Sequence, residues 1–305
     1  MSDPTNSVAV KLEAWQIAQR QSLPMEAKVI HSRAKIREWY EHWGGLVYVS
    51  FSGGKDSTVL LHMAREELGM SIPAVFLDTG VEYPEVRDFA LSQPGVTRIK
   101  PAMSFPDTLI KYGYPIVSKE VSDQVYYYRH SPNETWRASR LTPNAKGYLH
   151  IPYKWQFLLD APFPVSANCC DSLKKHPAMK YERQSHRHPM TGMMAADSSL
   201  RKMSLIKAGG CSVFSGNRPR AAPLAYWCEE DIWAYLHTRG LTYASLYDHG
   251  YTRTGCYACA FGCSRSGLNN YQRLAVSHPK LWRYCLDDLG FRAVLDYVGV
   301  RYDPI

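Results

Sequence analysis

The run from Leu46 to Leu68 restricts the fold of this chain more than any other stretch. It reads Leu-Val-Tyr-Val-Ser-Phe, then Ser52-Gly53-Gly54-Lys55-Asp56-Ser57, then an amphipathic segment from Thr58 to Leu68. An apolar strand, a glycine turn and a helix therefore follow one another directly. A turn of this kind points free backbone N–H groups and the positive end of a helix at one place, and such a place binds phosphate. Gly53 and Gly54 let the backbone approach an anion closely, while Ser52, Lys55 and Ser57 add donors. Asp56 belongs beside an anion only if it holds Lys55 or a magnesium ion.

The rest of the chain repeats the alternation. Pro73 to Asp78 reads as the next buried strand, followed by Thr79-Gly80-Val81-Glu82-Tyr83-Pro84-Glu85. Open α/β sheets place ligands at polar turns on the carboxyl ends of strands, so Asp78 and Gly80 are expected at the ligand. A helix over Pro84 to Ser92 and a strand over Val96 to Ile99 come next. Met190 to Met194 ends a further strand, a helix starts at Ser198, and Cys211 to Phe214 forms a short strand. Glu229 to His237 is another helix. This order predicts an α/β fold with a doubly wound, mostly parallel sheet. Helical spacing from about Val8 to Trp43 puts an N-terminal helical region, 1–44, before it. The nucleotide-binding domain is expected over 45–225, and a helical, cysteine-bearing subdomain over 226–305. The polar and aromatic stretch from Val125 to Leu159 lacks a clear period and reads as an insertion, 125–160, or a lid. Its Tyr126 to His130, Trp136, Arg137 and Arg140 suit bases and phosphates, and equally suit an insertion that packs its own tyrosines.

Composition narrows the setting. No apolar run approaches the ~18 residues of a membrane span. The opening MSDPTNSVAVKLEAW has neither the basic start nor the apolar core of a signal peptide, so a cytoplasmic setting with no membrane partner is expected. There the eight cysteines are reduced thiols or metal ligands. A net charge of +8 suits anionic partners, nucleotides first and nucleic acid second.

Cys169-Cys170 is a vicinal pair, and Cys256-Tyr257-Ala258-Cys259 is a C-x-x-C loop followed by Cys263. Four thiolates from two distant segments can hold a [4Fe–4S] cluster or a structural zinc ion. Adjacent side chains converge poorly on one small ion, whereas a cluster offers each cysteine its own iron. Cys256, Cys259 and Cys263 alone are a further arrangement, which would leave one iron open. Cys211, Cys228 and Cys285 read as small buried apolar side chains.

Several of these motifs resemble one family. SGGKDS departs from the Walker A loop, because its glycines are adjacent and Asp56 separates Lys55 from Ser57. It resembles the PP-loop of the adenine nucleotide alpha-hydrolase superfamily, whose loop grips the pyrophosphate end of ATP. DTGVEYPE resembles a segment of the PAPS (phosphoadenosine phosphosulfate) reductase branch. CCDSLKKHP, YASLYDHGYTRTGCYAC and PLAYWCEEDIWAYL resemble that branch's cluster and C-terminal motifs. The resemblance spans about Leu46 to Val300. It implies a [4Fe–4S] cluster on Cys169, Cys170, Cys256 and Cys259, and a nucleotide held by Ser52 to Ser57, Asp78, Gly80, Gly192 and Ser198. Lys55, Asp56, Arg201 and Lys119 are the expected catalytic side chains, the last two neutralising charge on the α-phosphate.

Two departures redirect the reading. Asp296 to Ile305 carries no cysteine where sulfonucleotide reductases carry their nucleophile, and Met194 replaces an arginine in the G-x-R-x-x-E-S-x-x-R motif. ATP with Mg²⁺ is then the expected nucleotide, and the reaction an ATP pyrophosphatase-type activation in a sulfur-transfer pathway. The ATP pyrophosphatases of DNA phosphorothioation are closest in kind. The expected sulfur donor is a cysteine desulfurase or a thioredoxin-like protein. One alternative is a thioredoxin-dependent PAPS or APS (adenosine phosphosulfate) reductase using Cys263 or Cys285. Another is a nucleotide-regulated nucleic-acid-binding or redox-sensing protein.

Overall fold

Val47, Tyr48, Val49 and Phe51 are almost wholly buried, and consecutive buried residues require cover on both faces of a strand. The computed structural model, which describes residues 12–265 and 267–304, places them at the middle of a sheet. Val8 to Lys11 of the expected first helix lie outside the described residues. Eight strands occur among the described residues: β1 (Val47–Phe51), β2 (Ala74–Leu77), β3 (Val96–Ile99), β4 (Ile116–Val117), β5 (His188–Thr191), β6 (Ser212–Val213), β7 (Arg220–Ala221) and β8 (Ala260–Phe261).

Six of them form one sheet in the order β3-β2-β1-β5-β7-β6. β1 pairs in parallel with β2 and β5, and only β6 with β7 is antiparallel. The chain moves outward from β1 in one direction through β2 and β3, then returns to its other side with β5. That reversal makes the sheet doubly wound and sets its ligand crevice at the carboxyl ends of β1 and β5. Helices flank the sheet. Ile36 and Trp39 of helix Met25–His42, Val59, Leu60 and Met63 of helix Lys55–Leu68, and Ile232 and Leu236 of helix Glu229–Thr238 share its core.

The chain forms two compact units. One takes the residues up to Leu77, Pro84–Ile99 and Met179–Thr254. The other takes Asp78–Tyr83, Lys100–Ala178 and Gly255–Ile305. These lines differ from the three segments drawn from the sequence, for two reasons. Helix Glu229–Thr238 buries its apolar face in the sheet core, which ties 226–254 to the first unit. β4 pairs with β8, which ties 100–178 to the C-terminal cysteine segment.

The stretch 125–160, read as aperiodic, contains the end of helix Lys119–His130, helix Glu134–Leu141 and a 3₁₀ helix over Tyr153–Asp160. Caps start the two α-helices: Ser118 Oγ accepts from Val121 N at 3.1 Å, and Asn133 Oδ1 from Trp136 N at 2.9 Å. Helix Glu134–Leu141 buries none of its residues, so it has no apolar stripe to read.

Candidate functional site

The helix after β1 begins at Lys55, three residues before the expected Thr58, because Gly54 is its N-cap. No side chain of Gly54 can cap it, so Lys55 N takes an acceptor from elsewhere, and two amides of the turn before it also bond to hydroxyls. Ser52 N donates to Ser57 Oγ (3.1 Å), Gly54 N to Ser52 Oγ (3.3 Å), and Lys55 N to Tyr247 Oη (2.9 Å). Three amides of the loop thus end on neutral hydroxyl oxygens. Gly53 has φ +74°, and a Cβ there would lie 2.6 Å from Val86 O. We expect Gly53→Ala to cost about 2 kcal/mol or more, read as a lower denaturation midpoint, since neither the backbone angle nor the carbonyl can give cheaply.

Lys55 is 4% exposed. Its Nζ donates to Thr252 O at 2.8 Å, pairs with Glu229 Oε1 at 3.2 Å, and lies 5.1 Å from the Tyr247 ring centroid. Asp56 stands 3.9 Å from the same ammonium through Oδ1, and that oxygen is buried with no hydrogen-bond partner. Burial raises the Asp56 carboxyl to about 6 against the pull of Lys55. Between about pH 4 and 6 the folded chain therefore holds a proton that the unfolded chain has released. Stability of the ligand-free protein falls as pH rises through that window and stays lower above it. Asp56→Asn removes the effect. Its melting temperature should exceed that of the parent above pH 6, by the equivalent of about 1–3 kcal/mol, and match it near pH 4. Equal profiles at both ends would refute this account of Asp56.

β5 ends beside the loop. A Cβ on Gly192 would lie 3.0 Å from Asp56 C and from Ser57 N, so glycine permits the two turns to touch. Ser198 caps helix Ser199–Ala208 by accepting from Arg201 N at 3.2 Å. Arg201 pairs with Asp197, and Arg253 donates to Asp197 O at 2.5 Å. Met194 is 2% exposed and packs in the sheet core.

The second unit holds the cysteines. Glu82 and Cys256 form an antiparallel bridge, Tyr257 N donates to Val81 O at 2.9 Å, and Tyr257 Oη donates to Gly80 O at 3.3 Å. The Asp78–Tyr83 segment is thus laced to the C-x-x-C loop. Asp78 is buried, and the Thr79 amide and hydroxyl both donate to the Glu82 carboxylate. Asn270 Nδ2 donates to Tyr257 O at 2.7 Å and Tyr271 Oη to Ala258 O at 3.0 Å, which clamps the loop from below. The Cys169 thiol points to Ala167 O at 4.0 Å, beside Cys170. The neighbouring Cys169 thiol, with Lys119 and Lys174, lowers Cys170 from the ordinary thiol value despite burial, and Cys169 is pushed up. Lys174 is raised above its ordinary value, first by Cys256 beside it, whose own thiol burial pushes up. Cys170, Cys256 and Cys259 lie within electrostatic reach of one another. Cys263 is buried and donates to Cys259 O at 3.7 Å. Lys119 pairs with Asp171 at 3.4 Å, next to the vicinal pair. Among the described residues, no three cysteine, histidine or carboxylate side chains stand close enough together to share a single ion.

The sequence profile of the phosphoadenosine phosphosulfate reductase domain matches residues 46–115 and 132–261. The chain belongs to that family. It is 23% identical over 258 residues to an adenosine 5'-phosphosulfate reductase of Anoxybacillus flavithermus, covering 82% of this chain and 88% of the relative. It is 25% identical over 253 residues to an uncharacterized protein of Methanocaldococcus jannaschii, covering 81% of this chain and 42% of that one. Against a second protein of the same organism it covers 53%, so the chain spans about half the length of these two relatives. The phosphoadenylyl-sulfate reductase structure from Candida auris aligns over 81% of this chain and 97% of its own at 16% identity and TM-score 0.43.

Within this family member, the structure groups Ser52 to Ser57 with Gly192, Asp197, Ser198 and Arg201 in the sheet unit. It groups Asp78, Gly80 and Lys119 with Cys169, Cys170, Cys256, Cys259 and Cys263 in the other. Tyr247, Thr252 and Glu229 around Lys55 were not singled out from the sequence, and neither was Lys174. Each sits inside a quoted family-like motif, YASLYDHGYTRTG, PLAYWCEEDIWAYL or CCDSLKKHP, and that position was the available signal.

Proposed function

We propose that the chain activates an acceptor with ATP, releasing pyrophosphate, as one step of a sulfur transfer. The observation that carries this reading is the uncapped start of helix Lys55–Leu68 at the carboxyl end of β1, where loop amides end on hydroxyl oxygens that a phosphate can replace. The buried, unpartnered Asp56 Oδ1 beside it is an oxygen donor suited to Mg²⁺. An anionic acceptor oxygen attacks the α-phosphorus, the bond from that phosphorus to the bridging oxygen breaks, and pyrophosphate leaves an adenylated acceptor, from which the incoming sulfur nucleophile later expels AMP. Lys55 would turn from Thr252 O toward the departing charge, and Arg201 would leave Asp197 for the α-phosphoryl group.

The donor set of Cys169, Cys170, Cys256 and Cys259 fits an iron–sulfur cluster better than one ion. It is thiol-only, it draws its sulfurs from two segments of chain, and Lys174 stands beside it to balance negative charge. Bound there, the cluster would supply a metal–sulfide centre, and the Asn270 and Tyr271 clamps would keep the loop in place to hold it.

Reduction of a sulfonucleotide is the second reading, favoured by the reductase relatives. Two observations count against it. Met194 lies in the sheet core rather than offering a charge to a sulfate, and the candidate nucleophiles are buried, burial raising Cys263 to about 11 and Cys285 to about 12. The test is product analysis of anaerobically purified protein with ATP, APS and PAPS in parallel, with and without oligonucleotide acceptors. Pyrophosphate from ATP with an adenylated acceptor, or with AMP once a sulfur donor is added, supports the proposal. Sulfite from APS or PAPS with a thiol, and none of these products from ATP, would overturn it.

A further inference from the structure

Neither the loop nor the thiol set uses the helical stretch around Tyr126 to Trp155. Five basic residues, Arg129, Arg137, Arg140, Lys146 and Lys154, face one acidic residue there, Glu134. Their balance of +4 is half of the chain's +8, gathered on about a tenth of its length. Seven aromatic side chains are interleaved with them, and Tyr127, Tyr148 and Tyr153 are more than half exposed. Exposed rings of this size among cations need a reason.

The stretch also holds an open pocket of about 470 Å³, lined by Tyr127, His130, Ser131, Asn133 and Trp136. That volume lies in the range of small-ligand clefts, ~300–1,000 Å³. Its walls are fixed from behind. Asn133 Oδ1 is taken by Trp136 N, which leaves the Nδ2 donors for another partner. His130 Nδ1 is bonded to Tyr126 O at 2.7 Å, which leaves Nε2, and the imidazole stacks on Tyr126 at 4.3 Å. The Arg140 guanidinium lies 4.8 Å from the Trp136 ring centroid, and Arg137 lies over Tyr128 at 5.9 Å. Ile151 N donates to Arg140 O at 3.3 Å, so the segment carrying Tyr148 and Tyr153 is anchored to the end of the Trp136 helix.

We propose that this face binds single-stranded nucleic acid, one base entering the pocket against Tyr127 and Trp136 while Arg137, Arg140 and Lys146 meet phosphates. Flat rings, edge-reading donors and acceptors, and cations in one place match the three parts of a nucleotide chain. A duplex keeps its bases stacked inside and has no free ring to offer the pocket. An acidic peptide would satisfy the cations and leave the pocket unfilled. In making nucleic acid the acceptor of the activation step, the inference rests on the function proposed above; the binding itself does not.

The test uses the full chain and fluorescein-labelled oligothymidylate and oligouridylate of about 12 nucleotides, followed by fluorescence anisotropy. At least one should bind, and the same sequences annealed into duplexes should bind more weakly. Trp136→Ala should weaken binding about 5- to 100-fold, and Trp136→Phe should restore most of it. Arg137→Ala with Arg140→Ala should reduce the slope of log affinity against log salt by about 1.4. If Trp136→Ala melts early, Tyr127→Ala is the second variant. Preference for the uridylate assigns RNA, and preference for the thymidylate assigns DNA. The proposal falls if neither oligonucleotide binds, if both aromatic variants bind like the parent, or if polyglutamate competes as well as the oligonucleotide. Pyrophosphate release is followed on the same preparations. Binding without release leaves this surface and sinks the ATP reading, and release without binding does the reverse.

Discussion

Lys55→Ala should lower pyrophosphate release from MgATP by about 10²–10³-fold, the usual loss when one charge-stabilising donor is removed from a reacting phosphate or oxyanion. The ammonium already sits at the head of the helix, enclosed by Thr252 O, Glu229 and the Trp233 and Tyr247 rings. No water shell has to be stripped from it when a nucleotide arrives, so its charge acts at short range in a dry site. The alanine variant also loses the side-chain stem packed against those rings, so part of the defect would be lost stability. Lys55→Met separates the two effects: it keeps the stem and removes the charge. We expect Lys55→Met to melt closer to the parent than Lys55→Ala and to be equally inactive. Steady-state pyrophosphate assays and thermal melts on the three proteins decide it, and substantial release by Lys55→Met would refute the role of the charge.

Cys256→Ser and Cys259→Ser should each abolish stable iron binding. Iron and acid-labile sulfide per chain, measured after anaerobic purification, should fall toward zero together with the visible charge-transfer band. The reason lies in the loop. Its ends are pinned by the bridge to Glu82 and by Asn270, so the loop cannot rearrange freely to bring the buried Cys263 into the place of a lost sulfur. Cys228→Ser is the matched control, since Cys228 precedes helix Glu229–Thr238 in the sheet unit and should leave the iron content unchanged. Zinc in place of iron in the parent, or full iron in Cys256→Ser, would defeat the cluster assignment.

The features legible in the sequence are those encoded by neighbours. An apolar run, two glycines and an amphipathic run specify β1, its turn and the helix at Lys55 without help from elsewhere, and Pro84–Ser92 and Val96–Ile99 were placed for the same reason. The cysteines were legible as types and spacings. The hydroxyl of Tyr247 on Lys55 N was not, because a tyrosine far along the chain carries no mark of the amide it will meet. The pairing of β4 with β8 was hidden too: two-residue strands have no period to detect. The helices of the 125–160 stretch were missed because caps rather than an apolar stripe define them. Met194 was legible as a substitution, but only the packed core shows that its side chain has been given to the sheet.

The second unit is assembled from three separated pieces of chain, and this sets a clock on the ribosome. Cys169 and Cys170 emerge some eighty residues ahead of Cys256, a delay of roughly 4–16 s at ~5–20 residues per second. Over that interval β8 is not yet available to pair with β4, and the vicinal thiols wait without the loop that completes their set. The sheet, whose last strand β7 ends at Ala221, can be complete well before that. The strands of the six-stranded sheet are thus made before the C-x-x-C loop, whereas the residues that enclose Lys55 (Glu229, Tyr247 and Thr252) are made only just ahead of it.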